Sequence, residues 1–186
     1  MTDIAPVSSA TGSHNARILP DIQLLCMYEK FSDAFNAAVE KCYPELHQKA
    51  TITIHNCRLG ALPKELRFDA VVSPANSYGR LDGAFDDALA RTYGPKNDYE
   101  WITRKAQKVL YEKWRGFAPP GTCTIVPLEH QDDAGQSKVE MQHPWNTKYL
   151  LLCPTMRIPD LVGWDVEVVY ECVWSLLCTI DNHNRE

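Results

Sequence analysis

The sequence predicts a three-layer α/β/α domain on a mostly parallel or mixed sheet. Three observations predict it. Apolar runs of strand length alternate along the chain with stretches of helical periodicity. The inner runs, such as Tyr149-Leu150-Leu151-Leu152-Cys153, are continuously apolar, which suits strands covered on both faces. At 186 residues the chain suits one domain, able to bury roughly 70% of its unfolded surface.

Each element has a local signal. Residues 1–17 are rich in Ser, Thr and Ala without period and read as a disordered tail, leaving 18–186 as a single domain. The apolar run from Asp21 to Tyr28 predicts a strand. Phe31, Ala34, Phe35, Ala38, Val39 and Cys42 fall at helical spacing, and Pro44 follows. Thr51 to His55 is β-branched and alternating, a second strand. Phe68 to Val72 is a third, stopped at Ser73-Pro74. Residues 79–83 read as a loop, and Phe85 to Tyr93 as a short helix closed by Gly94-Pro95. A longer helix is predicted from Asp98 to Trp114, with Trp101, Ile102, Lys105, Val109, Leu110 and Lys113 or Trp114 on one stripe.

Thr122 to Val126 predicts a strand stopped by Pro127. Gln131 to Asn146 is polar and reads as a loop. Lys148 to Cys153 predicts a buried strand. The last element is a helix from Asp165 to Ile180, with Val166, Val169, Val173, Leu176, Leu177 and Ile180 as its inward face. The polar residues Asp181 to Glu186 follow where an alternating fold would return to a strand. Either this helix is the terminal layer or the domain lacks its last strands, and the second is the expectation. In such sheets ligands bind beyond the carboxyl ends of the strands, so function is expected just after Val72, Val126 or Cys153.

Composition narrows the function. The chain is 45% hydrophobic and 23% charged, with 19 Lys plus Arg against 24 Asp plus Glu, for a net charge of −5. Without a Lys/Arg cluster it lacks the footprint of a duplex-DNA binder. Small anions remain admissible, because backbone N–H groups can hold them. The seven cysteines are odd in number, form no CxxC pair and sit mostly in apolar runs. They predict neither a disulfide framework nor a metal site, and a reducing compartment, cytoplasmic or nuclear. The first 20 residues hold no apolar h-region, so no signal peptide is expected. No apolar run reaches the ~18 residues of a span, so no membrane partner is expected. No cofactor is expected either.

The segment Asp69 to Leu89 carries the chemistry. It is a strand, a polar turn, a small-residue loop and a helix start. Gly79, Gly83 and Ala84 let backbone approach a ligand. The helix start offers free N–H groups to an anion. Asn76 sits at the strand's carboxyl end, with Asp86 and Asp87 in the first helical turn. Taken singly, these residues also fit plain capping and turn roles.

Taken together, the segment resembles the ligand-binding signature of macrodomains. Asp69-Ala70-Val71-Val72-Ser73-Pro74-Ala75-Asn76 is similar to that family's Asp-Ala-Ile-Val-Asn-Ala-Ala-Asn. Gly83-Ala84-Phe85-Asp86-Asp87-Ala88-Leu89 is similar to the end of its Gly-rich loop. Pro120 to Pro127 and Lys148 to Pro154 resemble two later strands. The resemblance covers Thr51 to Ile180. It implies recognition of ADP-ribose or of ADP-ribosylated protein in a cleft at the carboxyl end of the sheet. It further implies that Asn76 meets the distal ribose hydroxyls. Asp86 would orient or deprotonate a water, and Ala75, Gly83, Ala84 and Phe85 would line the loop.

Several positions depart from the pattern. Ser73 replaces the family's first Asn. Arg80, Leu81 and Asp82 dilute the glycine run, with Arg80 offered as a phosphate partner against the charge of Asp82. Asn56 stands near where the family's adenine-binding Asp is expected. The second Gly-rich loop has no counterpart after Ile180. The reading leaves three functions open: hydrolysis of an ADP-ribosyl ester or phosphate with Asn76 and Asp86, non-catalytic reading of ADP-ribose, and a scaffold acting by protein contact. Elsewhere, His55 and Cys153 read as structural. Trp101, Trp114, Trp164 and Trp174 read as packing residues. Trp145 reads as either a loop anchor or a cover for adenine, and Tyr78 as either a ribose shield or plain surface.

Overall fold

The computed structural model describes residues 19–129, 143–160, 163 and 165–185. The expected tail, most of the expected loop from Gln131 to Asn146, and Trp164 lie outside them. The described elements are β1 (Ile22–Leu25), α1 (Glu29–Cys42), α2 (Leu46–Lys49), β2 (Ile52–His55), β3 (Ala70–Ser73), α3 (Ala84–Tyr93), α4 (Trp101–Trp114), β4 (Thr124–Pro127), β5 (Tyr149–Leu152) and α5 (Glu167–Arg185). Short 3₁₀ turns occupy Leu59–Ala61 and Pro144–Asn146. All nine predicted strands and helices are present. The short α2 and the two 3₁₀ turns carry no periodicity and were not predictable from pattern.

The strands form two ladders among the described residues. β1 pairs with β2 in parallel. In the second ladder β5 lies between β3, parallel to it, and β4, antiparallel to it. The sheet is therefore mixed.

β5 explains the layers. Leu150 and Leu152 face a core shared with Leu81, Leu89, Ile102, Ala106 and Leu110, on the loop, α3 and α4 side. Leu151 and Cys153 face the opposite way, onto Val168 and Cys172 of α5. A strand covered on both sides must be apolar at every position, as this one is. Leu25 and Cys57 pack on the first core, tying the β1–β2 ladder to it. Among the described residues no helix is long and apolar enough to cross a membrane.

Two amphipathic faces differ from expectation. On α5, Val168 and Cys172 turn inward with Leu176 and Ile180. Val166, Val169, Tyr170, Val173 and Trp174 are exposed, Trp174 at 63%. The predicted inward face therefore holds at Leu176 and Ile180 and fails at Val166, Val169 and Val173, because the helix carries apolar residues on more than one side. It also runs on through the polar residues to Arg185, which pairs with Asp181 at 2.8 Å. On α1, Ser32 and Val39 are buried while Phe31, Ala34, Ala38 and Cys42 are exposed.

The aromatic residues of the central region are anchors. Trp145 Nε1 donates to the Pro63 carbonyl at 2.9 Å, and its ring stacks on Phe68 at 5.4 Å. That is the loop-anchor role. Trp101 is buried, and Trp114 donates to Thr124 Oγ1 at 2.9 Å. His55 meets Gln23 Oε1 at 2.7 Å across the β1–β2 ladder. Burial pushes the Tyr93 hydroxyl up to about 12, so it stays neutral while bonding Thr147.

The two faces of this architecture respond differently to truncation. Leu150→Ala, at 0% exposure, should cost about 2–5 kcal/mol in urea unfolding. Val169→Ala, on the exposed stripe of α5, should stay within about 0.5 kcal/mol.

Candidate functional site

The site begins where the β3–β5 ladder runs past its last strand residues. Cys153 N–H donates to Ser73 O at 2.9 Å and Thr155 N–H to Ala75 O at 3.0 Å. Ser77 N–H then reaches Met156 O at 2.9 Å. Ala75, Asn76 and Ser77 are buried as a result. The segment after β3 is thus held as backbone, before its side chains contribute.

Asn76 shapes the loop that follows. Its Oδ1 accepts from Tyr78 N–H at 3.1 Å and Arg80 N–H at 3.3 Å. Its Nδ2 donates to Arg80 O at 2.7 Å. The carboxamide is committed to its own loop, as Asn side chains commonly are in turns. Gly79 has φ +63, and a Cβ there would lie 2.7 Å from Leu110 Cδ1, so this turn needs glycine on both counts. Leu81 is fully buried and its N–H donates to Thr103 Oγ1 of α4 at 3.1 Å. Tyr78 is half exposed and meets Phe117 edge-on.

The start of α3 is open. Gly83 is its N-cap, with extended backbone and no side-chain cap. A side chain added at Gly83 would meet nothing within 4 Å. Ala84 follows with φ +49, a left-handed conformation that a non-glycine residue adopts at a cost. Asp86 N–H and Asp87 N–H turn back to Gly83 O, at 2.9 and 3.4 Å. With no side-chain cap, the first N–H groups of the helix remain for solvent or an anion.

Asp86 stands beneath this opening. It is 8% exposed, and Ser73 Oγ donates to its Oδ1 at 2.5 Å. Burial raises its carboxyl from 3.8 to about 6; the Ser73 bond opposes that shift and the Asp82 charge adds to it. The other carboxylate oxygen has no partner among the described residues. No buried side-chain polar atom there lacks one, so this oxygen reaches solvent. Asp86 is thus a carboxylate mostly ionised at neutral pH, fixed on one side and free to hold a water on the other.

The neighbouring charges are paired. Arg80 hydrogen-bonds Asp82, so the guanidinium offered for phosphate neutralises that carboxylate. Asp87 binds Arg91 at 2.9 Å and Tyr99 at 2.7 Å, which lowers its pKa. Asp87 supports the helix and takes no part in the opening.

The fold therefore brings together Ala75, Asn76, Arg80, Gly83, Ala84, Phe85 and Asp86. Asn56 is exposed just past β2, and the 3₁₀ turn at Leu59–Ala61 that follows it packs on α3. Ser73 and Thr103 are site residues that pattern reasoning missed. Ser73 was legible only as a departure from the motif, and Thr103 had no signal in a helical run. Two cavities lie elsewhere on the described surface. One of about 570 Å³ is lined by Pro120, Met156, Arg157, Asp160 and Glu171 among others. One of about 200 Å³ involves Lys64, Arg67 and His143. Neither is lined by the Asn76–Asp86 loop.

The described residues have a macrodomain-like α/β/α fold. A macrodomain from Oryza sativa, APL, solved in complex with ADP-ribose, superimposes on this chain with a TM-score of 0.56. The match covers 86% of this chain and 75% of that one, at 15% sequence identity. No family model matches the sequence.

Asp86 should leave a signature in stability. The folded state holds its proton more tightly than the unfolded chain, because burial raises the folded pKa above 3.8. Stability should therefore fall as pH rises from about 4 to about 6 and remain lower above that, by about 3 kcal/mol. Asp86→Asn keeps the Ser73 bond and removes the titration. It should match wild type near pH 4 and exceed it above pH 6 in urea unfolding.

Proposed function

We propose that this chain binds ADP-ribose or an ADP-ribosyl group at the loop from Asn76 to Asp86, and that Asp86 gives it hydrolytic capacity. The observation that carries the reading is Asp86 itself. One oxygen is anchored by a buried serine and the other reaches solvent beside an uncapped helix start. A binding loop alone has no need of a buried ionisable carboxylate, which is costly to keep.

The parts divide as follows. The N–H groups at the head of α3 and the backbone at Gly83 meet the diphosphate and distal ribose. The solvent-reaching oxygen of Asp86 orients a water and takes its proton as the water attacks the anomeric carbon. Asn76 contributes by holding Tyr78 and Arg80 in the loop, and it keeps one amide hydrogen for a ribose hydroxyl. Asn56, at the end of β2, is the adenine-side residue of this reading. Similarity to the rice macrodomain supports the ligand class at the level of fold.

A scaffold reading is favoured by one different observation, the exposed stripe Val166, Val169, Tyr170, Val173 and Trp174 on α5. Titration separates the two. Calorimetry should show saturable binding of ADP-ribose, tighter than AMP. No binding by the folded protein leaves the scaffold.

Two substitutions refine the test. Gly83→Asp places an acceptable N-cap where a side chain has open space, so stability should hold or rise. The added charge and its claim on the N–H groups should weaken ADP-ribose roughly tenfold or more. Asp86→Ala should retain binding while turnover of an ADP-ribosyl ester drops by about 10²-fold or more. Wild-type turnover should rise with pH through about 6, as Asp86 loses its proton.

A further inference from the structure

Beneath α5 lies a cluster that the proposed site does not use: Cys123, Cys153 and Cys172. All are free thiols. Buried cysteines usually act as small apolar residues. Here the backbone sets two of them against each other.

The β4–β5 register pairs Thr124 with Leu152, and one step further on places Cys123 opposite Cys153. The type of that pair can be read from the hydrogen bonds. Leu128 N–H donates to Lys148 O at 2.8 Å, so 128 and 148 form a hydrogen-bonded pair. Pairs alternate along an antiparallel ladder, which makes Cys123 and Cys153 a non-hydrogen-bonded pair. The same result follows from β3. Cys153 N–H donates to Ser73 O, so its backbone polar groups point away from β4. Cα atoms in such pairs stand about 4.5 Å apart, inside the window of about 4.4–6.8 Å that a disulfide spans. Both side chains lie on the α5 face, among the same neighbours. Cys172 is engaged elsewhere, donating from Sγ to Pro154 O at 3.3 Å.

We propose that Cys123 and Cys153 are a cross-strand modification site, which hydroperoxides oxidise to a reversible intramolecular disulfide.

The roles are unequal. Contact with the Cys153 thiol holds the Cys123 thiol below its ordinary range, and the Thr179 hydroxyl and the Lys113 charge act in the same direction. Contact with Cys123, together with burial, pushes Cys153 up. Cys123 is the attacking sulfur and Cys153 the resolving one. The Cys123 thiol displaces water from hydrogen peroxide and becomes a sulfenic acid, with one O–O bond broken and one S–O bond formed. The Cys153 sulfur then attacks the Cys123 sulfur, the S–O bond breaks, and a second water leaves with the Cys153 proton. Two thiols lose two electrons and two protons overall, and one peroxide is reduced to two waters. A dithiol reverses the bond.

Digestion with trypsin makes the test direct, because the three cysteines fall on separate peptides: 116–138, 149–157 and 158–185. The folded chain is treated with hydrogen peroxide, blocked with an alkylating agent, digested and analysed by mass spectrometry. The expected product joins 116–138 to 149–157, two hydrogens lighter than the separate peptides, and dithiothreitol separates it. Cys172→Ala should form the same product in the same yield. Cys153→Ala should abolish it and leave Cys123 as a sulfenic acid that dimedone labels. Recovery of both thiols unmodified would overturn the proposal, and so would a bond from either to Cys172. If Cys153→Ala does not fold, the wild-type and Cys172→Ala products decide by themselves.

Discussion

The three-stranded ladder, the layers on its two faces and the candidate site are placed by β5. The strand pairs on both edges and is covered on both faces, so it has no polar side to give away. Each face demands a layer, and the helices supply them, α3 and α4 on one side and α5 on the other. Its ladder with β3 does not stop at the sheet. It continues as Cys153 to Ser73, Thr155 to Ala75 and Ser77 to Met156. That continuation fixes the backbone that carries Ser73 under the head of α3. The position of the candidate site is therefore a consequence of sheet pairing, and its side chains refine what the backbone has already arranged.

Charge in the site follows a simple division. Exposed carboxylates have partners: Asp82 has Arg80, and Asp87 has Arg91 and Tyr99. Such surface pairs contribute little each, about 0–1 kcal/mol. The buried carboxylate, Asp86, has a hydroxyl instead of a cation. A serine satisfies one oxygen without cancelling the charge. The result is a carboxylate that keeps a raised pKa and still ionises at neutral pH. A cation beside that oxygen would instead have lowered the pKa and weakened the base.

The sequence made the order of elements legible because strands and helices here differ strongly in period and length. It made the loop legible because Asp69 to Asn76 and Gly83 to Leu89 resemble the two blocks of one family's signature. Three things escaped it. The antiparallel direction of β4 depends on a connection whose composition says nothing of direction. The face of α5 escaped because Val166, Val169 and Val173 form as good a stripe as Val168, Cys172 and Leu176, and only packing chooses between them. The partner of Asp86 escaped because Ser73 lies thirteen positions away on another element, and no local rule links a strand-end serine to a helical carboxylate. Asn76 shows the reverse case. Its position was legible, while its commitment to Tyr78 and Arg80 could be seen only once the loop had folded.

The left-handed backbone of Ala84 has a consequence for motion. A non-glycine residue in that region is disfavoured by about 1–2 kcal/mol, and two residues later the chain buries an ionisable carboxylate. Both penalties fall in the first turn of α3. The rest of that helix buries Leu89, Ala90 and Tyr93 and has no comparable penalty. Unfavourable terms gathered in one turn lower the free energy of opening that turn well below that of global unfolding. The head of α3 should therefore fray while its far end stays closed. A ligand seated on the closed turn selects it from this equilibrium, and part of the binding energy goes into ordering the helix. Occupancy would then register in the backbone as slowed amide exchange confined to the residues around Ala84.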